Sequence, residues 1–136
     1  MRILALDPGT VRVGVAVSDE LQMIATPLEF IPAEPTANML ARLKQLLAEK
    51  EVGQIIVGMP RNMDGSYGPA AEKAREFVKT LQAEITVPIR TWDERLTTRQ
   101  ASRMMSQAGR TAKEQRGRVD QAAAAVLLQS YLDSLG

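Results

Sequence analysis

Three carboxylates, Asp7, Glu94 and Asp120, occupy apolar settings in separate parts of this 136-residue chain. Asp7 ends the run Ile3-Leu4-Ala5-Leu6, and Pro8-Gly9-Thr10 turns the chain directly after it. A short run that is apolar on both faces reads as a central strand. A charged, unpaired carboxylate there costs several kcal/mol, so Asp7 must meet a cation or occupy an opening in the fold. Glu94 follows the strand-like Val87-Pro88-Ile89-Arg90-Thr91-Trp92, and Asp120 lies near the start of the apolar run 119–128. Carboxylates from three elements suggest one metal-binding centre. The chain has no His and no Cys, which excludes thiol nucleophiles, His-dependent triads and the usual zinc sites. A hydrolase built from this composition must work through carboxylates and a hard, oxygen-loving ion, Mg²⁺ or Mn²⁺.

The elements that would position these acids are legible in the hydropathy pattern. Residues 2–7 and 11–18 read as strands, the second with Val11, Val13, Val15 and Val17 alternating with Arg12, Gly14, Ala16 and Ser18. Asp19-Glu20 signals a turn, and a third strand is expected within 23–31. Connections this short fit antiparallel pairing. Pro35-Thr36 opens a helix with Met39, Leu40, Leu43, Leu46 and Leu47 on one face, and 54–58 reads as a buried strand. A loop over 59–68 precedes a second helix from Pro69, whose Ala70, Ala74, Phe77, Val78 and Leu81 share a face. A strand at 87–92 follows, then a helix from about Thr97 to Gly109 with a capping-box spacing. Thr111-Ala112-Lys113-Glu114 is expected to begin a short turn that Gly117 interrupts before a last helix over 118–134. The order β-β-β-α-β-α-β-α-α implies an α/β fold, a mixed sheet with helices on both faces. With no linker or repeat, residues 1–136 read as one domain.

The net charge of +1 is unevenly distributed. Arg99, Arg103, Arg110, Lys113, Arg116 and Arg118 face only Glu114 within 99–118, leaving −4 for the rest of the chain. Such a segment is either a nucleic-acid footprint or a solvated helix face. No apolar stretch approaches the ~20 residues of a membrane span, and the N-terminus shows no signal-peptide pattern. The expected location is the cytoplasm, with no membrane partner.

Four motifs, in order along nearly the whole chain, carry a family resemblance. They are Leu6-Asp7-Pro8-Gly9-Thr10 with Arg12 and Gly14, Val57-Gly58-Met59-Pro60 with Asp64-Gly65-Ser66, Asp93-Glu94-Arg95-Leu96-Thr97-Thr98, and Val119-Asp120 with Ala122-Ala123. Together they resemble the YqgF family. The resemblance implies a ribonuclease H-like fold, kin to the RuvC Holliday junction resolvases, with Asp7, Glu94 and Asp120 at the family's acidic positions as catalytic residues and metal ligands. It also implies a nuclease acting on the 5′ end of pre-16S rRNA in ribosome biogenesis, or a resolvase of branched DNA. The resolvases carry an acid at the end of the fourth strand and another one turn along the last helix. Here those places hold Val57-Gly58-Met59-Pro60 and Ala123-Ala124, so the number of ions, one or two, stays open.

Phosphodiester hydrolysis suits this inventory, because two ions ~3.5–4 Å apart activate water and relieve charge on the phosphoryl oxygens. Thr10, Arg12, Arg61, Asn62, Arg95, Arg110, Lys113 and Arg116 are the candidate substrate contacts, with RNA favoured and branched DNA as the alternative. Each feature also has a plainer role: a turn-capping Asp7, a surface ion pair at Glu94 beside Asp93 and Arg95, helix-dipole decoration at Asp120, and ordinary polar loops. Trp92 and the seven Met residues are expected in the core. Asp7-Pro8-Gly9-Thr10 also resembles the phosphate-binding turn of actin-like ATPases, but those need two domains around a nucleotide. A noncatalytic RNA-binding assembly factor would keep the basic segment without cleavage. A resolvase would need a symmetric homodimer, for which the sequence reveals no face.

Overall fold

The computed structural model describes residues 1–60 and 68–93 and the backbone of 112–135, with side chains from 123 onward in that last stretch. The alternating N-terminal third forms β1 (Arg2–Pro8), β2 (Arg12–Ser18) and β3 (Ala25–Pro32), each antiparallel to the next. Next come α1 (Thr36–Glu49), β4 (Val52–Met59), α2 (Pro69–Glu84), β5 (Ile89–Asp93) and α3 (Ala112–Leu135). The sheet order is β3-β2-β1-β4-β5, with β1, β4 and β5 mutually parallel. Hairpin-length links allow antiparallel neighbours, whereas parallel ones need crossovers, here through α1 between β3 and β4 and through α2 between β4 and β5.

Strand alternation divides the core into two layers. Leu4, Leu6, Val13, Val15, Ile55 and Val57 pack against Met39, Leu43 and Leu46 of α1 and Leu81 of α2. Ile3, Ala5, Ala16 and Ile56 face the other way, against Ala124, Leu127, Leu128 and Tyr131 of α3. Each fully buried Leu or Ile contributes about 1.5–3 kcal/mol, so both layers are needed to hold β1 and β4 in the centre. The mixed sheet with helices on both faces is as expected from the sequence.

Several details differ. The last helix begins at Ala112 and runs unbroken through Gly117, where a break before 118 was expected. A helical Gly costs only about 1 kcal/mol relative to Ala, less than the burial that follows along the same helix. In α2 the buried stripe is Ala71, Ala74 and Leu81, and Ala70 is exposed; the helical period from Ala74 and Leu81 selects Ala71. The fifth strand spans 89–93 instead of 87–92. Met39 and Met59 are buried, but Met1 and Met23 are exposed. Trp92 is half-buried, donating its indole N–H to Ser130 Oγ at 3.1 Å and standing edge-on to Tyr131 with ring centroids 5.3 Å apart. The helix expected over 97–109 lies outside the described residues.

The end of the sheet where β1 begins is closed by hydrogen bonds. Near the register shift between Arg2 and Ile3, the Ile3 N–H donates to the buried Ser18 Oγ at 2.8 Å, and Ser18 donates to the Asp19 carbonyl at 2.9 Å. The Asp19 carboxylate accepts the N–H groups of Met23 and Ile24 at 2.8 and 2.9 Å. The bonds from Ile24 and then Met23 hold its pKa below the ordinary carboxylate value. Gln129 accepts the Ala25 N–H and donates to the Met23 carbonyl, both at 2.9 Å, tying α3 to the β2–β3 turn. No helix among the described residues is long and apolar enough to cross a membrane.

Candidate active site at the carboxyl end of the central strands

At the opposite end the described residues leave a concavity. Asp7 of β1 pairs with Gly14 of β2, and Gly14 pairs with Phe30 of β3, so the three form one row across the sheet. Cross-strand partners share a face, and Asp7 has the parity of Ile3 and Ala5, which pack towards α3. The row therefore belongs to the α3 face. Its central position has no side chain, and a concavity of about 230 Å³ lies there, lined by Asp7, Gly9, Thr10, Val11, Arg12, Gly14 and Phe30. Asp7 is half-buried. Among the described residues no side chain bonds its carboxylate.

The β1–β2 turn shapes this opening. Gly9 N–H donates to the Arg12 carbonyl at 2.9 Å. A Cβ on Gly9 would stand 2.7 Å from that same oxygen, so the close approach of the two backbones requires glycine. Arg12 re-enters β2 with its guanidinium carbon 4.1 Å from the centroid of the Phe30 ring.

The predicted site residues are distributed as follows. Asp7, Thr10 and Arg12 line one concavity. Asp120 lies in α3, one turn before the buried Ala124; its side chain, like those of Lys113 and Arg116 in the same helix, is outside the described residues. Glu94, Arg61, Asn62, Arg95 and Arg110 also lie outside them. Asp93 ends β5, and alternation from Ile89, which packs against the α1–α2 layer, places it on the face opposite Asp7. Among the described residues no three His, Cys, Asp or Glu side chains group as a metal site. Gly14 and Phe30 went unnoticed in the sequence as a pair. The available signal was the run Gly14, Ala16, Ser18 of small residues on one face of β2, but the register that sets Phe30 beside Gly14 is a tertiary fact.

The position of the opening is also informative. β1, β4 and β5 point their carboxyl ends to the same edge, with Leu6 level with Val57 and Met59 level with Asp93. β1 connects to β2 on one side, whereas β4 connects through α2 to β5 on the other. Such a divergence at the carboxyl edge opens the crevice where α/β sheets bind ligands.

The family model described as RuvX, Holliday junction resolvase, matches residues 1–134. A relative from Halothermothrix orenii, named as a proposed pre-16S rRNA nuclease, is 46% identical over 133 residues, covering 98% of this chain and 95% of its own. A Moorella thermoacetica relative of the same name is 46% identical over 136 residues, covering 100% and 97%. T. thermophilus RuvC, solved in complex with a Holliday junction substrate, is similar in structure with a TM-score of 0.61 at 16% identity, over 100% of this chain and 96% of that one. The fold is thus that of the RuvC-like resolvases, the ribonuclease H-like architecture that the motifs implied. The chain belongs to the RuvX family, a nuclease family whose reaction is hydrolysis of phosphodiester bonds.

Proposed function

We propose that this chain is a single-domain, metal-dependent nuclease of the cytoplasm that processes the 5′ end of pre-16S rRNA, with its active centre at the carboxyl ends of β1, β4 and β5. The observation that carries this reading is the placement of Asp7 on a central strand beside a side-chain gap, facing the α3 side of the open edge. The names of the relatives support the RNA substrate.

Asp7, Glu94 and Asp120 would hold the ion or ions. A donor set of oxygens alone, in a chain without His or Cys, fits Mg²⁺ or Mn²⁺. Bound there, such an ion supplies an activated water and charge relief at the phosphoryl oxygens. The backbone of α3 supports the convergence, and Glu94 is the residue that follows β5 in the sequence. For α3, the Tyr131 hydroxyl accepts a hydrogen bond from Gln54 at 3.0 Å, and Gln54 is level with Ile3. Running back from Tyr131 to Asp120 covers about 16 Å at the helical rise. Ile3 to Asp7 covers about 13 Å along the strand, so helix and strand have matching reach.

The remaining residues would bind substrate. The Arg12 guanidinium and the Thr10 hydroxyl would contact phosphate oxygens beside the scissile bond. Arg61, Asn62 and Arg95 flank the same edge in sequence. Lys113 and Arg116, with Arg110 before them in the basic segment 99–118, would contact the strand. Resolution of branched DNA is the second reading, favoured by the family's description and by the junction-bound fold relative. It requires a homodimer with paired centres.

The test is cleavage of labelled single-stranded RNA, structured RNA carrying a pre-16S 5′ end, and a four-way DNA junction, each with Mg²⁺, Mn²⁺ or EDTA. Cleavage of the structured RNA that stops in EDTA is expected. Preference for the junction selects the second reading, and binding without cleavage selects an assembly factor.

A further inference from the structure

The β1–β2 turn is hollow on its other side as well. Gly9 and Thr10, both exposed, line the Asp7 concavity, and with Pro8 they line two further concavities of about 310 and 250 Å³. Pro8 has the parity of Leu4 and Leu6, and Val13, Met39 and Phe77 beside it belong to the α1–α2 layer or pack against it. These concavities therefore lie on the face of the sheet opposite Asp7, and the turn is the ridge between the two sides. Lys73 and Phe77, one turn apart on α2, line both of them. Phe77 is half-buried against the core, and Lys73 is exposed.

Charge distinguishes the two concavities. Glu34 and Glu76 line the smaller one, which disfavours an anion there. In the larger one Lys73 is the one charged residue among the lining residues, and Thr10 adds a hydroxyl. Elsewhere Lys44 pairs with Glu84, and on α2 itself Arg75 pairs with Glu72. Among the described residues Lys73 has no such partner. A lysine ammonium is a point charge on a flexible stem, so it meets a phosphate without a fixed fork geometry.

We propose that the larger concavity is a second backbone subsite: the nucleic-acid strand bound at Asp7 crosses the β1–β2 turn, and Lys73 binds one of its phosphates on the α2 side, away from the scissile bond. This rests on the reading of the Asp7 concavity as a phosphodiester site. Gly9, on the ridge, presents no side chain to block the crossing. Phosphate contacts position a strand without reading its sequence, so Lys73 sets the path and adds affinity while the chemistry stays on the Asp7 side.

The experiment is oligonucleotide binding in EDTA, where cleavage does not intervene, over a series of salt concentrations with the single-stranded RNA, structured RNA and junction probes. Lys73→Ala is expected to weaken binding about two- to fivefold and to lower the log–log salt slope by about 0.7–0.9, whatever the base sequence. Lys73→Arg should keep both at wild-type values, because it keeps the charge. Lys79→Ala removes an exposed lysine of the same helix that lines neither concavity, and it should leave the slope unchanged. As the single-stranded RNA is shortened from either end, Lys73→Ala and wild type should converge once the strand no longer reaches past the turn. With Mg²⁺ present, Lys73→Ala should raise KM and leave kcat nearly unchanged. A wild-type slope in Lys73→Ala overturns the proposal. So does an equal fall in Lys79→Ala, which marks a diffuse surface field, or a Lys73→Ala loss that is the same at every probe length. A wild type that binds but does not cleave defeats only the proposed nuclease activity, because the slopes are still read in EDTA. A wild type that binds none of the probes defeats both.

Discussion

The two ends of the central sheet use similar residues for opposite purposes. Where β1 begins, Ser18, Asp19 and Gln129 take up backbone N–H groups in bonds of 2.8–2.9 Å and lock the β2–β3 turn to α3. Where β1 ends, Asp7, Thr10 and Arg12 line an open concavity beside a glycine. Asp19 and Asp7 are the same residue type at opposite ends of one hairpin, yet the first bonds two backbone amides and the second none among the described residues. A carboxylate that accepts backbone N–H groups stabilises the fold, whereas one left facing an opening is available to a ligand. On the proposed reading, the contrast separates structural from functional polar residues by partner, independent of residue type.

The largest effect should come from Asp7→Asn. Removing one ligand from an obligatory ion site is expected to cut kcat/KM at least about 1,000-fold, about 4 kcal/mol at 1.4 kcal/mol per tenfold. The melting temperature in EDTA should not fall. A variant that melts earlier but cleaves normally would make Asp7 another Asp19.

Gly9→Ala should damage both properties. The added Cβ meets the Arg12 carbonyl at 2.7 Å, and the turn must shift at a cost of about 1–3 kcal/mol. Arg12 and Asp7 would shift with it, and a displacement near 1 Å can cost about 100-fold in rate. Denaturant unfolding and steady-state kinetics on the same preparation would measure the two losses.

Ser18→Ala is the counterpart at the closed end. It leaves the buried Ile3 N–H without its acceptor, a loss of about 1–3 kcal/mol, while kcat and KM at saturating Mg²⁺ should match wild type. Altered kinetics in this variant would show that the two ends are coupled.

The smallest effect concerns the pair between Glu29 and Arg42, which joins β3 to α1 through bonds of 2.7 and 3.0 Å. The bond from Arg42 holds the Glu29 carboxyl below its ordinary value. A depressed folded pKa gives stability above the unfolded value that is lost as pH falls through the folded one. Both side chains are partly exposed, so solvent screens most of the effect. Glu29→Gln should melt slightly below wild type at neutral pH and converge with it in acid, as melts across pH would show.

Local pattern made much of this legible. The two-sided apolar run marked β1 as central, and the valine alternation of β2 fixed which residues face each layer. Asp7 stood out because a carboxylate there contradicts its surroundings. Two things were not legible. Whether a helix continues through Gly117 depends on how much the rest of that helix buries, which is a tertiary quantity. The row Asp7-Gly14-Phe30 depends on the register of two hairpins, set in part by the Asp19 turn, and no local periodicity reveals it.

The most direct measurement is Mn²⁺ binding by calorimetry to wild type, Asp7→Asn and Asp19→Asn. Wild type and Asp19→Asn should bind Mn²⁺ alike, with Asp19→Asn melting at a lower temperature, while Asp7→Asn should bind none and melt no earlier than wild type in EDTA. Undiminished Mn²⁺ binding by Asp7→Asn, or its loss in Asp19→Asn, would contradict an ion centre at the carboxyl end of the sheet.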